Sequence, residues 1–126
     1  MADYTPVYSG GVNPFTATTS AAVNAGKILE VSGDGTVAHA GAGSLVAVGV
    51  AASDAGSGAK VTVWPLNNCV HEFVSSGAIT AGAGLVTGAA GVVVTAAVAT
   101  AAAGGTLIGI ATTTAANNKV RGLGRA

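Results

Sequence analysis

From Ser20 onward the chain carries one pattern twice, and nothing else in the sequence restricts its possible folds so strongly. Val23-Asn24-Ala25-Gly26 returns as Ile79-Thr80-Ala81-Gly82, Leu29 as Leu85, Gly35-Thr36-Val37 as Gly91-Val92-Val93, and Val48-Gly49-Val50-Ala51 as Ile108-Gly109-Ile110-Ala111. The offset runs from 56 to 60 residues along this series, and Lys60-Val61 matches Lys119-Val120 at 59. Two copies are too few for a solenoid, which needs at least three stacked units. They predict two related halves, residues 20–65 and 76–126, joined through the segment from Trp64 to Ser76 within one body of residues 20–126.

The repeated pattern is written for strands. Glu30-Val31, Ser32-Gly33-Asp34-Gly35 and Thr36-Val37 predict a hairpin whose Asp-Gly turn tolerates the positive φ of a tight turn. Val46, Val48 and Val50 alternate with Ala47, Gly49 and Ala51, which puts bulk on one face and nearly bare backbone on the other. Something must pack closely against that bare face, and Leu107–Ala111 repeats the arrangement around Gly109. Val61 and Val63 alternate with Lys60, Thr62 and Trp64 until Pro65 ends the strand. The helical candidate is Ala96–Ala103, stopped by Gly104-Gly105. The expected fold is mainly β: a small β-barrel or sandwich with pseudo-twofold internal duplication and one short helix near 96–103.

Small side chains limit how such a body holds together. The 126 residues include 28 alanines and 20 glycines against five aromatics, so a thick core is not expected. A folded chain of 11.8 kDa exposes about 5,900 Å², and cores this thin usually gain stability from metals, disulfides or oligomerisation. Cys69 is the only cysteine, which excludes an internal disulfide. A Cys-based zinc site would have to draw its other ligands from two histidines and five carboxylates. Association of several copies is the remaining support.

Charge narrows the function classes. Five basic and five acidic residues give a net charge of zero, without the cationic footprint that a phosphate backbone requires. Neutrality also removes the repulsion that keeps free proteins apart and suits a packed assembly. Between Glu72 and Lys119 lie 46 uncharged residues, but Gly, Ser, Thr or Asn interrupts every apolar run well short of the ~18 residues of a membrane span. Met1–Gly11 has neither the basic start nor the apolar stretch of a signal peptide. Neither nucleic acid nor membrane is an expected partner.

Residues 1–19 read as an extended N-terminal arm. They hold Pro6 and Pro14, which fix φ and bias Thr5 and Asn13 toward extended backbone. Gly10-Gly11 forms a flexible joint between the prolines. Tyr4, Tyr8 and Phe15 give the arm three of the five aromatics. Such a segment either folds back onto its own body or docks on a neighbour.

Tests for catalytic chemistry come back empty. Ala21–Ile28 keeps Gly26-Lys27 but lacks the first glycine and the hydroxyl of a phosphate-binding loop, and the Gly41/Gly43 and Gly82/Gly84 pairs lack the rest of a dinucleotide fingerprint. On a strand, Cys69, His71 and Phe73 share one face and Glu72 takes the other. Cys69 and His71 then sit roughly 6 to 7 Å apart at the backbone, beyond the usual hydrogen bond between nucleophile and base. His39 falls on the return strand of the hairpin, and five scattered carboxylates form no acid/base pair. No enzyme activity, small-molecule substrate, cofactor or metal is expected. Trp64 lies on the Lys60/Thr62 face, as a subunit contact or a core residue. Lys119, Arg121 and Arg125 form either a solvated tail or a contact with an acidic neighbour.

The proline-containing N-terminus, Val23-x-Ala25-Gly26, Asp34-Gly35-Thr36-Val37, Val48-Gly49-Val50-Ala51, Lys60-Val61-Thr62-Val63 and the second Gly-Ile-Ala together resemble the small head-decoration proteins of tailed bacteriophages, also called capsid cement proteins. The resemblance covers nearly the whole chain, and the Ala-rich stretch at 96–103 departs from it. It implies a β-rich structural protein, made in the host cytoplasm, that binds the outside of an assembled capsid as a homotrimer and stabilises the expanded head. Its partner would be the major capsid protein. The arm residues Tyr4, Thr5, Pro6, Val7, Tyr8, Val12, Pro14 and Phe15 would add a strand to a capsid sheet edge, and Trp64, His71 and Phe73 would lie at the subunit interface. The competing reading is an adhesive or receptor-binding β-module on a virion or cell surface.

Overall fold

In the computed structural model, which describes residues 2–125, both halves of the repeat fold into the same arrangement of five strands. The first supplies β1 (Phe15–Thr19), β2 (Ile28–Gly33), β3 (Thr36–His39), β4 (Ala47–Ala51) and β5 (Lys60–Pro65). These close into a barrel in the order β1-β3-β2-β4-β5, with β5 returning antiparallel to β1. The second supplies β6 (Val70–Val74), β7 (Gly84–Thr87), β8 (Val93–Ala96), β9 (Gly109–Ala111) and β10 (Lys119–Gly124), in the order β6-β10-β9-β7-β8. With β6 to β10 matched in turn to β1 to β5, the cyclic order is identical. The second sheet is the barrel opened between β6 and β8.

The duplication extends to single hydrogen bonds. Thr19 pairs in parallel with Val37, and Ser75 with Val93, both at the offset of 56. The Ser20 amide donates to the Val37 carbonyl and the Ser76 amide to the Val93 carbonyl, each at 3.0 Å. Gly26 donates to Ala51 at 2.9 Å and Gly82 to Ala111 at 2.8 Å. Side chains repeat too: Asp54 Oδ1 accepts from the Ala25 amide at 2.9 Å, and Thr114 Oγ1 accepts from Ala81 at 3.2 Å.

Two boundaries differ from expectation. The arm ends before Phe15, because residues 15–19 form β1 and complete the barrel. The strands of the two halves span 15–65 and 70–124, each starting earlier than the sequence match. The first strands, Phe-Thr-Ala-Thr-Thr and Val-His-Glu-Phe-Val, share alternation but no residue at equivalent positions.

The step from 56 to 60 falls between the third and fourth strands of each half, where the second half inserts α1 (Val98–Gly104). The helix starts later than predicted because Ala96 pairs with Gly84 as the end of β8. It stops where Gly105, at φ 75°, points its amide back to the carbonyls of Ala101 and Ala102, a left-handed cap open to glycine without penalty. No helix among the described residues is long and apolar enough to cross a membrane.

Two cores result. Ala17, Val23, Leu29, Val37, Ala51, Val61 and Val63 fill the barrel. Ile28, Val50, Leu66, Phe73, Leu85, Val93, Ile108 and Val120 form the second core, shared by the two sheets. Neighbours such as Ile28/Leu29 and Val50/Ala51 face opposite cores, which explains why β2 and β4 carry apolar residues on both faces. The expected single face of Val46, Val48 and Val50 is broken by a bulge. Leu29 pairs with Gly49 and Glu30 with Ala47, leaving Val48 as the extra residue. Val46 is therefore half exposed, Val48 packs toward the barrel core and Val50 is fully buried. Such bulges reverse side-chain parity. The bare face is used as expected: a Cβ at Gly49 would overlap the Trp64 carbonyl, and one at Gly109 would lie 2.6 Å from the Leu123 carbonyl oxygen.

Candidate functional site

The arm, where the sequence placed the contacts with a partner, lies across both halves of its own chain. Asp3 bridges Ser53 just beyond β4, and Tyr8 bridges Val70 at the start of β6. The Tyr4 amide donates to Ala52 O at 2.7 Å, the Val7 amide to Val70 O at 2.8 Å, and the Val70 amide returns a bond to Tyr8 O at 2.8 Å. Asp54 binds the Ala2 amide at 3.3 Å as well as that of Ala25. These donors, the Ala25 amide first, hold its carboxyl below the usual range. The accessible surface of 5,810 Å² agrees with the roughly 5,900 Å² of a compact chain of this mass, as it should when no segment projects.

Tyr4 locks this arrangement. Its hydroxyl sits 2.6 Å from His71 Nδ1, and the Glu72 amide donates to it at 3.3 Å. His71 Nε2 lies 2.8 Å from Pro65 O. A carbonyl only accepts, so Nε2 carries the proton and Nδ1 accepts from the phenol. The Tyr4 and His71 rings stack at 5.8 Å, and Phe73 lies 5.4 Å beyond. Burial pushes the Tyr4 phenol up and, outweighing the bond to Pro65, pushes His71 below its ordinary value. The ring is neutral at pH 7.

Three expected contact residues thus turn inward. His71 and Phe73 are fully buried within the single chain, beneath its arm rather than on an open surface. Tyr4 is spent on His71. Trp64 is half-buried opposite Val50, and Val7 is held by Val70. Of the other expected contact residues, Thr5, Pro14, Tyr8 (67% exposed) and Phe15 (42%) face outward, while Pro6 and Val12 are intermediate.

Two surface features escaped the sequence reading. An apolar hollow of about 200 Å³ opens between β1 and the β2–β3 hairpin, lined by Phe15, Ala17, Val31, Val37 and Val48. Its sequence signal is confined to Val31 and Val37 in the expected hairpin and Val48 in the expected strand after it. A larger cleft of about 350 Å³ lies between the halves, with Leu45 (69% exposed), Leu66, Ile108 and Arg125 around it.

The polar side chains weighed as catalytic candidates are each engaged locally. Cys69 is buried, its Sγ lies 3.4 Å from Ser9 O, and burial raises its thiol pKa, the opposite of an activated nucleophile. Both His71 ring nitrogens are engaged, and His39 Nε2 accepts from the Asn24 amide at 3.0 Å. Among the described residues no three metal-ligating side chains cluster. Arg121 reaches Glu72 at 3.9 Å across half-exposed side chains, a pair worth little.

A model of the phage cement protein family matches residues 7–126. No curated protein matches the chain. Among solved structures the chain is similar to the head fiber gp8.5 N base in bacteriophage phi29, with a TM-score of 0.67 and 24% identity over 90% of this chain and 93% of that one. That likeness concerns the fold, a mainly β body with a barrel, a second sheet and one helix. The family match spans nearly all of both halves, and the chain therefore belongs to the phage cement protein family, structural proteins associated with the capsid in the virion.

Proposed function

We propose that this protein binds the outer surface of an assembled phage capsid as a homotrimer, holds the major capsid protein and stabilises the expanded head. Membership of the cement family carries this reading. If the site exists only in the expanded shell, binding favours that state by linkage. Three copies in one unit turn weak single contacts into durable ones when geometry lets all three engage. Tyr8 and Pro14 of the arm and Phe15 at the start of β1, together with Thr5 and Val12, are the capsid-contact candidates, since Tyr4 and Val7 serve the chain's own body.

The test starts with solution mass by light scattering, expected at three times 11.8 kDa. Purified expanded heads are then titrated with protein and heated. Saturable binding and a raised disruption temperature support the reading; heads that bind nothing, or bind without stabilisation, sink it. Tyr8→Ala should weaken head binding and leave the melting temperature of the free protein unchanged.

A further inference from the structure

The duplication allows one half to be read against the other. In the second half the edge of β6 away from β10 is occupied: Tyr8 pairs with Val70, and the Tyr4 hydroxyl takes the Glu72 amide. At the offset of 56 fixed by Thr19/Val37 and Ser75/Val93, the counterparts of His71, Glu72 and Phe73 are Phe15, Thr16 and Ala17. The amides of Thr19 and Ser75 both point to the fifth strand's side, to Ala59 O and Asn118 O at 2.9 Å, while that of Thr18 points to Gly35 O. The Thr16 amide therefore faces the β3 side, where the ladder ends at Thr18. His71 lies under the Tyr4 ring and is fully buried; Phe15, in the same position, is 42% exposed beside the apolar hollow. The first half has the edge and the hollow without the segment that covers them in the second.

We infer that the β1 edge at Thr16, with the hollow beside Phe15, receives an extended, uncharged segment of the capsid shell protein that bears an aromatic side chain. The inference rests on the functional reading above and names the surface through which binding occurs. The chemistry of the occupant is that of the arm on the equivalent edge: backbone pairing plus one ring laid over the residue at the counterpart of His71. None of the residues lining the hollow is charged, which matches an uncharged segment. The source follows from counting. Each chain has one arm and two such edges, so exchange of arms among copies still leaves one edge per chain for a different protein. Pro14 stands where Val70 donates an amide in the second half, so pairing centres on Thr16 and the ring supplies the remainder.

The test uses full-length protein and purified expanded heads. Thr16→Pro removes the one amide that faces the open edge and spares the bonds from Phe15 and Ala17 to β5; proline is tolerated at such an edge. Thr16→Val keeps the amide. The expected result is wild-type binding by Thr16→Val, at least about tenfold weaker binding by folded Thr16→Pro, a difference of about 1.4 kcal/mol, and slowed hydrogen exchange at Thr16 of the wild type on saturated heads. Wild-type protein that binds heads while its Thr16 amide exchanges as in free protein overturns the inference and leaves the functional reading standing, as does folded Thr16→Pro with undiminished affinity. Should Thr16→Pro fail to fold, the exchange measurement decides alone. Wild-type protein that binds no heads overturns the functional reading and this inference with it.

Discussion

Replacing Tyr4 with Phe deletes one oxygen and leaves the ring over His71. Two groups then lose their partner: His71 Nδ1, buried with its ring, and the Glu72 amide. A buried group left unpaired costs about 1–3 kcal/mol. Both bonds are only partly buried and the amide bond is long at 3.3 Å, so each group belongs at the low end, about 1 kcal/mol, and the total is about 2 kcal/mol. For a chain of this length the unfolding entropy gives about 4 °C per kcal/mol, and the melting temperature should fall by about 8 °C. The loss has a direction as well as a size, because the arm can open before the body does. Hydrogen exchange at Tyr4 and Val7, whose amides bond to Ala52 and Val70, should accelerate about 30-fold, while Val61 inside the barrel follows only the global change. A variant that melts within about 1 °C of wild type, with unchanged exchange at Val7, would refute the reasoning that the hydroxyl fastens the arm.

Three further outcomes follow from the geometry. His71 is held below its ordinary value of 6.5 by burial, so below that pH the unfolded chain binds the proton first; stability should be full above about pH 6.5 and decline toward the lower folded pKa. Urea midpoints from about pH 7.5 to 5 measure this, and a His39→Gln background removes the same-signed contribution of His39, lowered by burial and then by Lys27. The counterparts Thr19 and Ser75 should respond oppositely: Thr19 Oγ1 bonds Gly56 O and accepts from the Ala59 amide, so Thr19→Val should cost about 1–2 kcal/mol in denaturant unfolding, whereas Ser75 Oγ is buried without a protein partner and Ser75→Ala should be neutral or slightly stabilising. Gly49→Ala forces a methyl into the Trp64 carbonyl and Val63 and should cost about 3 kcal/mol, the upper range for overpacking; a melting temperature equal to wild type would contradict the close approach of β4 and β5.

What the sequence revealed and what it concealed divide along the range of the interactions involved. The glycine within Val48-Gly49-Val50 reports its own backbone contact, and its recurrence at Gly109 announces that two halves use one design. The hairpin at Asp34-Gly35 and the helix stop at Gly104-Gly105 are equally local. The correspondence of β1 with β6 escaped because alternation alone specifies a strand, and Thr16 and Glu72 leave no common letter to match. The parity switch at Val48 escaped because a bulge is decided by what β2 offers opposite. Cys69, His71 and Phe73 were legible as one face, but not that this face is sealed from within. The lid is Tyr4, 67 residues away in the chain, and no periodicity reaches that far. For the same reason the arm was readable as extended without its destination being readable.

The route of that arm also dictates an order of events during synthesis. Its contacts join Ala2 with Asp54, Tyr4 with His71 and Ser9 with Cys69, separations of 52, 67 and 60 residues. The barrel can close once β5 is complete, since β1 to β5 contain every strand it needs, but β6 must exist before Tyr4 has anywhere to settle. Contacts of such long range require costly loop closure and form late. The arm leaves the ribosome before the strands it docks on and is thus among the last segments to be fixed, and until then Tyr4, Tyr8 and the uncovered His71 are exposed to neighbouring nascent chains.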